Sequence, residues 1–150
     1  MNIYAIILAA GKGTRMKSDM PKVLHEVLYK PMVVHVIDEL KKLGVNEIVT
    51  VIGHQAERVK EVLSNEGVAF ALQEEQLGTG HAVLQASSLL EGKEGLTLVL
   101  NGDAPLIRKE TLQAMIDTHL NEHHQATMMS VRLPLDTPFG RFIRDDNGDV

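Results

Sequence analysis

The sequence predicts an α/β fold: a Rossmann-like, doubly wound, mostly parallel sheet with helices on both faces. Three observations carry that expectation. An apolar run of strand length opens the chain at residues 3–9, and another, apolar but for Thr97, follows at 96–100, as expected for strands buried on both faces of a parallel sheet. Between the strand-like runs, apolar residues return at intervals of three and four, the period of an amphipathic helix. A glycine-rich loop follows the first run directly, where parallel sheets place their ligand loops.

The elements follow in chain order. After strand 3–9 comes a polar loop, and Pro31 then suits the first position of a helix, where its fixed φ and missing N–H cost nothing. Val33, Val36, Ile37, Leu40 and Leu43 keep helical spacing until Gly44, and Glu47 to Ile52 is the second strand. Ala56, Val59, Val62 and Leu63 mark a second helix stopped by Gly67, with a short strand at 68–72. Ala82, Val83, Ala86, Leu89 and Leu90 form a third helix before strand 96–100. Leu112, Met115, Ile116 and Leu120 give a fourth, and 127–133 reads as a further strand. Residues 139–144 read as one more, leading to Asn147-Gly148, a strong hairpin-turn signal. Right-handed β-α-β crossovers bring all the strand ends to one edge. Those ends are Ala10-Gly11-Lys12-Gly13, Gly53-His54, Gln73-Glu74 and Asn101-Gly102-Asp103.

Composition narrows the function. The 150 residues contain no cysteine, which excludes disulfides, thiolate metal sites and a cysteine nucleophile. The net charge of −5 hides a contrast. Residues 1–30 carry Lys12, Arg15, Lys17, Lys22 and Lys30 against Asp19 and Glu26, whereas the remainder is strongly acidic. A basic segment on an acidic body points to a local anion site, not a nucleic-acid surface. With no Trp, two Tyr and three Phe there is little to stack bases on. No run approaches the ~20 apolar residues of a membrane helix, so no stable membrane insertion is expected. No targeting signal opens the chain, and with no cysteine used the expected compartment is the cytoplasm.

The chemistry concentrates after the first strand, in Leu8-Ala9-Ala10-Gly11-Lys12-Gly13-Thr14-Arg15-Met16. Glycines there let backbone N–H groups approach a phosphate, and Lys12 and Arg15 add charge. The dinucleotide fingerprint fails because Met16 stands where its third glycine belongs, and the Walker string is absent.

This stretch, with Pro21-Lys22-Val23-Leu24-His25, resembles the signature of the sugar-phosphate nucleotidylyltransferases. Gln73-Glu74-Glu75-Gln76-Leu77-Gly78-Thr79-Gly80-His81-Ala82 and Asn101-Gly102-Asp103-Ala104-Pro105-Leu106 extend the likeness at similar spacing. Pro-Lys-Val-Leu-His and Gln-Leu-Gly-Thr-Gly-His-Ala are similar to the bacterial branch that couples N-acetylglucosamine-1-phosphate uridylyltransferase to glucosamine-1-phosphate acetyltransferase.

The resemblance implies a role for each position. The backbone of Leu8, Ala9, Ala10 and Gly11 contacts the nucleoside, and the loop through Arg15 wraps the triphosphate. Lys22 contacts phosphate, while Gln73, Gly78 and Thr79 read uracil, the glutamine amide offering one donor and one acceptor. Asp103 holds Mg²⁺, Asn101 and Gly102 lie along the nucleotide, and Gly140 contacts the amino sugar. Arg15, Lys22 and Asp103 are the catalytic set.

The implied reaction joins UTP to N-acetylglucosamine 1-phosphate, giving UDP-N-acetylglucosamine and pyrophosphate for peptidoglycan and envelope glycans. The family also implies more chain than is present: the remaining sugar- and metal-binding residues, then a left-handed β-helix acetyltransferase domain that forms a homotrimer. Residues 1–150 are therefore expected to be the nucleotide-binding part of a longer uridylyltransferase domain, weakly active or inactive alone. Position 101 departs from the family in being Asn where Tyr is common. Two other readings are a nucleotidylyltransferase for a different sugar 1-phosphate, and a non-catalytic nucleotide-sensing module.

Plainer readings attach to other polar residues. Asp103 by itself suits a turn cap. His119 and His123, four apart beside His124, lack a third zinc ligand and read as solvated histidines near a helix end. His25 and His81 fall inside the motifs, but no proton transfer calls for them, so they read as packing or hydrogen-bonding residues. Asp145, Asp146 and Asp149 do not fit a calcium loop.

Overall fold

The structure is a computed structural model that describes residues 1–13, 16–134, 136–137 and 140–146. Its elements run β1 (Ile3–Leu8), a 3-10 turn (Lys22–Leu24), β2 (Glu26–Val27), β3 (Lys30–Pro31), α1 (Met32–Leu43) and β4 (Glu47–Ile52). Then come α2 (Ala56–Val62), β5 (Ala69–Leu72), α3 (Thr79–Gln85), α4 (Ser87–Leu90), β6 (Leu96–Asn101) and α5 (Lys109–Asn121).

Four strands form a parallel sheet in the order β5-β4-β1-β6. β1 is interior, with Ile6 opposite Val49 on one side and Val99 on the other. Its side chains alternate between two cores, as the two-residue period of a strand requires. Ala5, Ile7 and Ala9 join Val33, Val36, Ile37 and Leu40 of α1, Val59 of α2, and Leu112 and Ile116 of α5. Ile6 and Ala10 join Val49, Val51 and Ala71 with Ala82 and Ala86, on and just after α3. An apolar β1 is thus covered on both faces, and the doubly wound expectation holds.

α1 supplies the largest apolar stripe, burying Val33, Val34, Val36, Ile37 and Leu40. Pro31 caps it instead of entering it, and Gly44 ends it. The predicted third helix is divided at Ala86 into α3 and α4. The loop after β1 holds structure the periodicity did not show: the 3-10 turn and an antiparallel ribbon in which Val27 faces Lys30.

Two predicted strands require correction. Residues 127–133 form no strand, and Met128, Met129 and Val131 are exposed. Apolar alternation makes a strand only where a neighbouring strand takes its N–H and C=O groups, and among the described residues no pairing reaches this segment. Residues 140–144 form none either, and Ile143 is exposed. Phe139 and the Asn147-Gly148 turn lie outside the described residues.

α1 and α5 are joined by a polar contact. The Glu39 carboxylate takes a hydrogen bond from Lys42 Nζ at 2.5 Å and another from the backbone N–H of Lys109, at the start of α5, at 2.8 Å. The Lys42 side chain, and after it the Lys109 N–H, hold the Glu39 carboxyl below the usual carboxylate range. A lowered carboxyl stabilises the fold above its unfolded-state value and loses that contribution as the pH falls through its folded value. Glu39→Gln is therefore expected to be less stable than wild type in urea at pH 7. The difference should shrink as the pH drops below the carboxylate range.

Candidate functional site

Parallel pairing puts the carboxyl ends of all four strands on one edge, and the backbone ladder continues past them. The Ala9 N–H reaches Val51 O at 2.9 Å, the Gly102 N–H reaches Leu8 O at 2.9 Å, and the Gln73 N–H reaches Ile52 O at 2.8 Å. Gly53 sits where these ends converge. A Cβ there would lie 2.8 Å from Gln73 O and 3.1 Å from Ala10 O. Only a residue without a side chain lets the three backbones approach this closely.

Above this floor is a cleft of about 300 Å³. Its base is Leu8, Ala9, Ala10 and Gly11, one wall is Lys22 and Val23, and the other is Gln73, Gly78 and Thr79. Asn101 and Asp103 close it from the end of β6. Ten of the residues singled out from sequence therefore line one space. Gly102 is buried behind it, hydrogen-bonded to Leu8. Gly140 is exposed and is not among the lining residues. Arg15 lies outside the described residues.

Lys22 reaches the cleft from the 3-10 turn that follows Pro21. Gly13, at φ +59°, crosses so close to it that a Cβ there would stand 2.7 Å from Lys22 Cβ. The glycine loop thus packs on the stem of the lysine, and the ammonium is directed inward. Its Nζ donates to Asp103 Oδ2 at 2.5 Å, both side chains about one-third exposed. Asp103 is thus engaged across the cleft instead of serving only as a turn cap.

Gln73, 4% exposed, is fixed by its nitrogen. Nε2 donates to Gly78 O at 3.2 Å and meets His81 Nδ1 at 2.9 Å. With His81 Nδ1 as acceptor both amide hydrogens are used, and the amide then has only its carbonyl left for a ligand, not the donor and acceptor expected from its chemistry alone.

Gln76, not singled out from sequence, also lines the cleft and donates to Ala10 O at 2.8 Å. Its signal was present in the Gln73-to-Ala82 string, but nothing in the spacing said which glutamine turns inward. Away from the cleft, His119 meets Thr127 Oγ1 at 2.9 Å and His124 meets Glu122 at 2.7 Å. His123 lies past the end of α5 at φ +55°, so the pair is not on one helix. Among the described residues no group of three His, Cys, Asp or Glu is placed to hold a metal. Among them also, no helix is long and apolar enough to cross a membrane.

Residues 5–139 match the MobA-like NTP transferase domain. The chain is 54% identical over 99% of its length to the bifunctional protein GlmU of Halalkalibacterium halodurans, and covers 32% of that protein. It thus spans about a third of the length of the curated relatives it matches. Among solved structures it is similar to a nucleotidyl transferase from Methanothermobacter, with a TM-score of 0.69 and 24% identity over 77% of this chain and 57% of that one. HddC from Yersinia pseudotuberculosis, complexed with GMP-PN, aligns with a TM-score of 0.60 and 27% identity over 76% of this chain and 54% of its own.

Gly53→Ala is expected to force the strand ends apart and cost about 1–3 kcal/mol of stability in urea, as overpacking does. Its largest amide shifts in a ¹⁵N spectrum should fall at Ala10 and Gln73.

Proposed function

The chain belongs to the MobA-like NTP transferase family, and from that premise we propose that its cleft binds UTP and transfers UMP to N-acetylglucosamine 1-phosphate. The products are UDP-N-acetylglucosamine and pyrophosphate. The observation that carries this reading is the meeting of Lys22 and Asp103 at 2.5 Å in a cleft floored by backbone from the end of β1. The 54% identity to GlmU supports the choice of substrates within the family.

The reaction is an in-line displacement. A phosphate oxygen of the sugar 1-phosphate forms a bond to the α-phosphorus of UTP as the bond to the bridging oxygen of pyrophosphate breaks. The nucleophile is already an anion and the leaving group is stabilised, so no general base is needed. The site must instead position two anions and offset the charge that gathers on phosphorus. Backbone of Leu8 to Gly11 seats the nucleoside, and Gln73 presents its carbonyl to the base. Lys22 turns its ammonium from Asp103 to phosphate oxygen. Arg15 is assigned to the triphosphate by the resemblance alone.

A divalent ion fits the donors present. A hard cation such as Mg²⁺ keeps most of its waters, shares phosphate oxygens and needs only one or two carboxylates. Asp103, one-third exposed at the mouth of the cleft, offers one. Asp103 would hold Mg²⁺, which would supply positive charge to offset that of the phosphates. The part of the site that grips the amino sugar, with Gly140 assigned to it, remains within this proposal. So do the acetyltransferase activity and the homotrimer, which belong to the longer protein.

In the full-length protein, Lys22→Ala and Asp103→Ala should each lower kcat by about 10²–10³-fold, the scale of losing one preorganised charge on a transition state. The urea midpoint should stay within the range of a surface substitution. Pyrophosphate release across sugar 1-phosphates checks the substrate. N-acetylglucosamine 1-phosphate should be preferred, and a faster reaction with glucose 1-phosphate would move the chain to another branch of the family.

A further inference from the structure

We propose that His81 is a positioning residue that makes the cleft discriminate UTP from CTP, by locking the amide of Gln73 with its carbonyl toward the base. The inference rests on the reading of the cleft as a uridine nucleotide site and extends it to a residue that does not itself line the cleft.

Around His81 the hydrogen atoms conflict. Both ring nitrogens of His81 face amide nitrogens: Gln73 Nε2 lies 2.9 Å from Nδ1 and Gln85 Nε2 lies 3.1 Å from Nε2. Each amide nitrogen carries only donors, whereas a neutral imidazole accepts at one nitrogen and donates at the other. One amide must therefore turn its oxygen to the ring. Assignment of oxygen and nitrogen in such a group follows from the network around it.

Burial decides which one turns. Gln73 is 4% exposed, and its nitrogen also faces Gly78 O at 3.2 Å. Turned over, it would set oxygen against oxygen with no water to compensate, the costly case for a buried polar group. Gln85 is only half-buried. It surrenders its 3.2 Å contact with His81 O, which water can replace. Gln85 thus presents its oxygen, His81 carries its proton on Nε2, and Nδ1 remains an acceptor for Gln73. The Gln73 carbonyl is left as the group offered to the cleft.

An acceptor at that place selects among pyrimidines. Uracil offers an N3–H donor, whereas cytosine has a lone pair at N3 and repels the carbonyl. Without the Nδ1 acceptor, only the longer bond to Gly78 O resists rotation of the amide, and the rotated form donates to cytosine N3. His81 is therefore placed to set base choice without touching the base.

The test uses the full-length protein and compares kcat/KM for UTP and CTP, with N-acetylglucosamine 1-phosphate as acceptor. In His81→Leu the UTP-to-CTP ratio should fall by about tenfold, the scale of one hydrogen bond's preference. The change should appear mainly in KM. His81→Asn, whose side-chain carbonyl can stand near the Nδ1 position, should restore most of the ratio. Equal losses for both nucleotides, or an unchanged ratio in a wild type that prefers UTP, would overturn the inference and leave the uridylyl reading intact. A wild type with no preference for UTP would overturn that reading, and this inference with it. The ¹⁵N shifts of the wild-type ring give an independent check. A protonated Nε2 with a bare Nδ1 is expected, and a protonated Nδ1 refutes the lock.

Discussion

Parallel pairing of β1 on both of its edges is the constraint from which the site follows. A parallel neighbour can be reached only by a crossover that returns the chain to the starting end of the sheet. Every strand therefore releases its following loop at the same edge. Residues as far apart in sequence as Leu8, Gln73 and Asp103 then meet because their strands point one way. The double burial of β1 enforces the arrangement, since Ile7 and Ile6 need separate cores and the helices must divide between the two faces.

Within that frame the site holds its charges in mutual reserve. The Lys22 ammonium and the Asp103 carboxylate neutralise each other across the mouth of the cleft. Their partial exposure keeps the pair weak, in the range of surface ion pairs, so exchanging partners is inexpensive. On the proposed reading, a phosphate brought together with a divalent ion would supply each with a better partner than the other. The resting ion pair would then part into the two electrostatic contacts that nucleotidyl transfer needs.

Legibility in the sequence followed the kind of signal each part produces. Strand β4 was readable to its ends, Glu47 and Ile52, because a run buried on both faces is dominated by β-branched residues, here Ile48, Val49, Thr50, Val51 and Ile52. Helix α1 was readable because Val33 to Leu43 keep one period and Gly44 breaks it. The ribbon of β2 and β3 was not, since two-residue strands have no period. Its turn also uses Leu28 and Tyr29 at φ +51° and +63°, where glycine or asparagine is the usual marker. The stretch 127–133 misled because alternation reports a face to be buried without naming a neighbour to pair with. The cleft itself was legible through motifs, down to Lys22 and Asp103. The orientation of Gln73 was not, because it depends on Gly78 and His81 meeting the amide in space.

On the proposed reading the Lys22–Asp103 pair is the nucleotide-free form of a phosphate and cation site, and a crystal structure of the protein with UTP and Mg²⁺ decides whether it is. The expected result is a parted pair, with Lys22 Nζ on a phosphate oxygen, Asp103 facing the metal and the base against Gln73. A nucleotide bound elsewhere, or bound in the cleft with the Lys22–Asp103 contact intact, would contradict it.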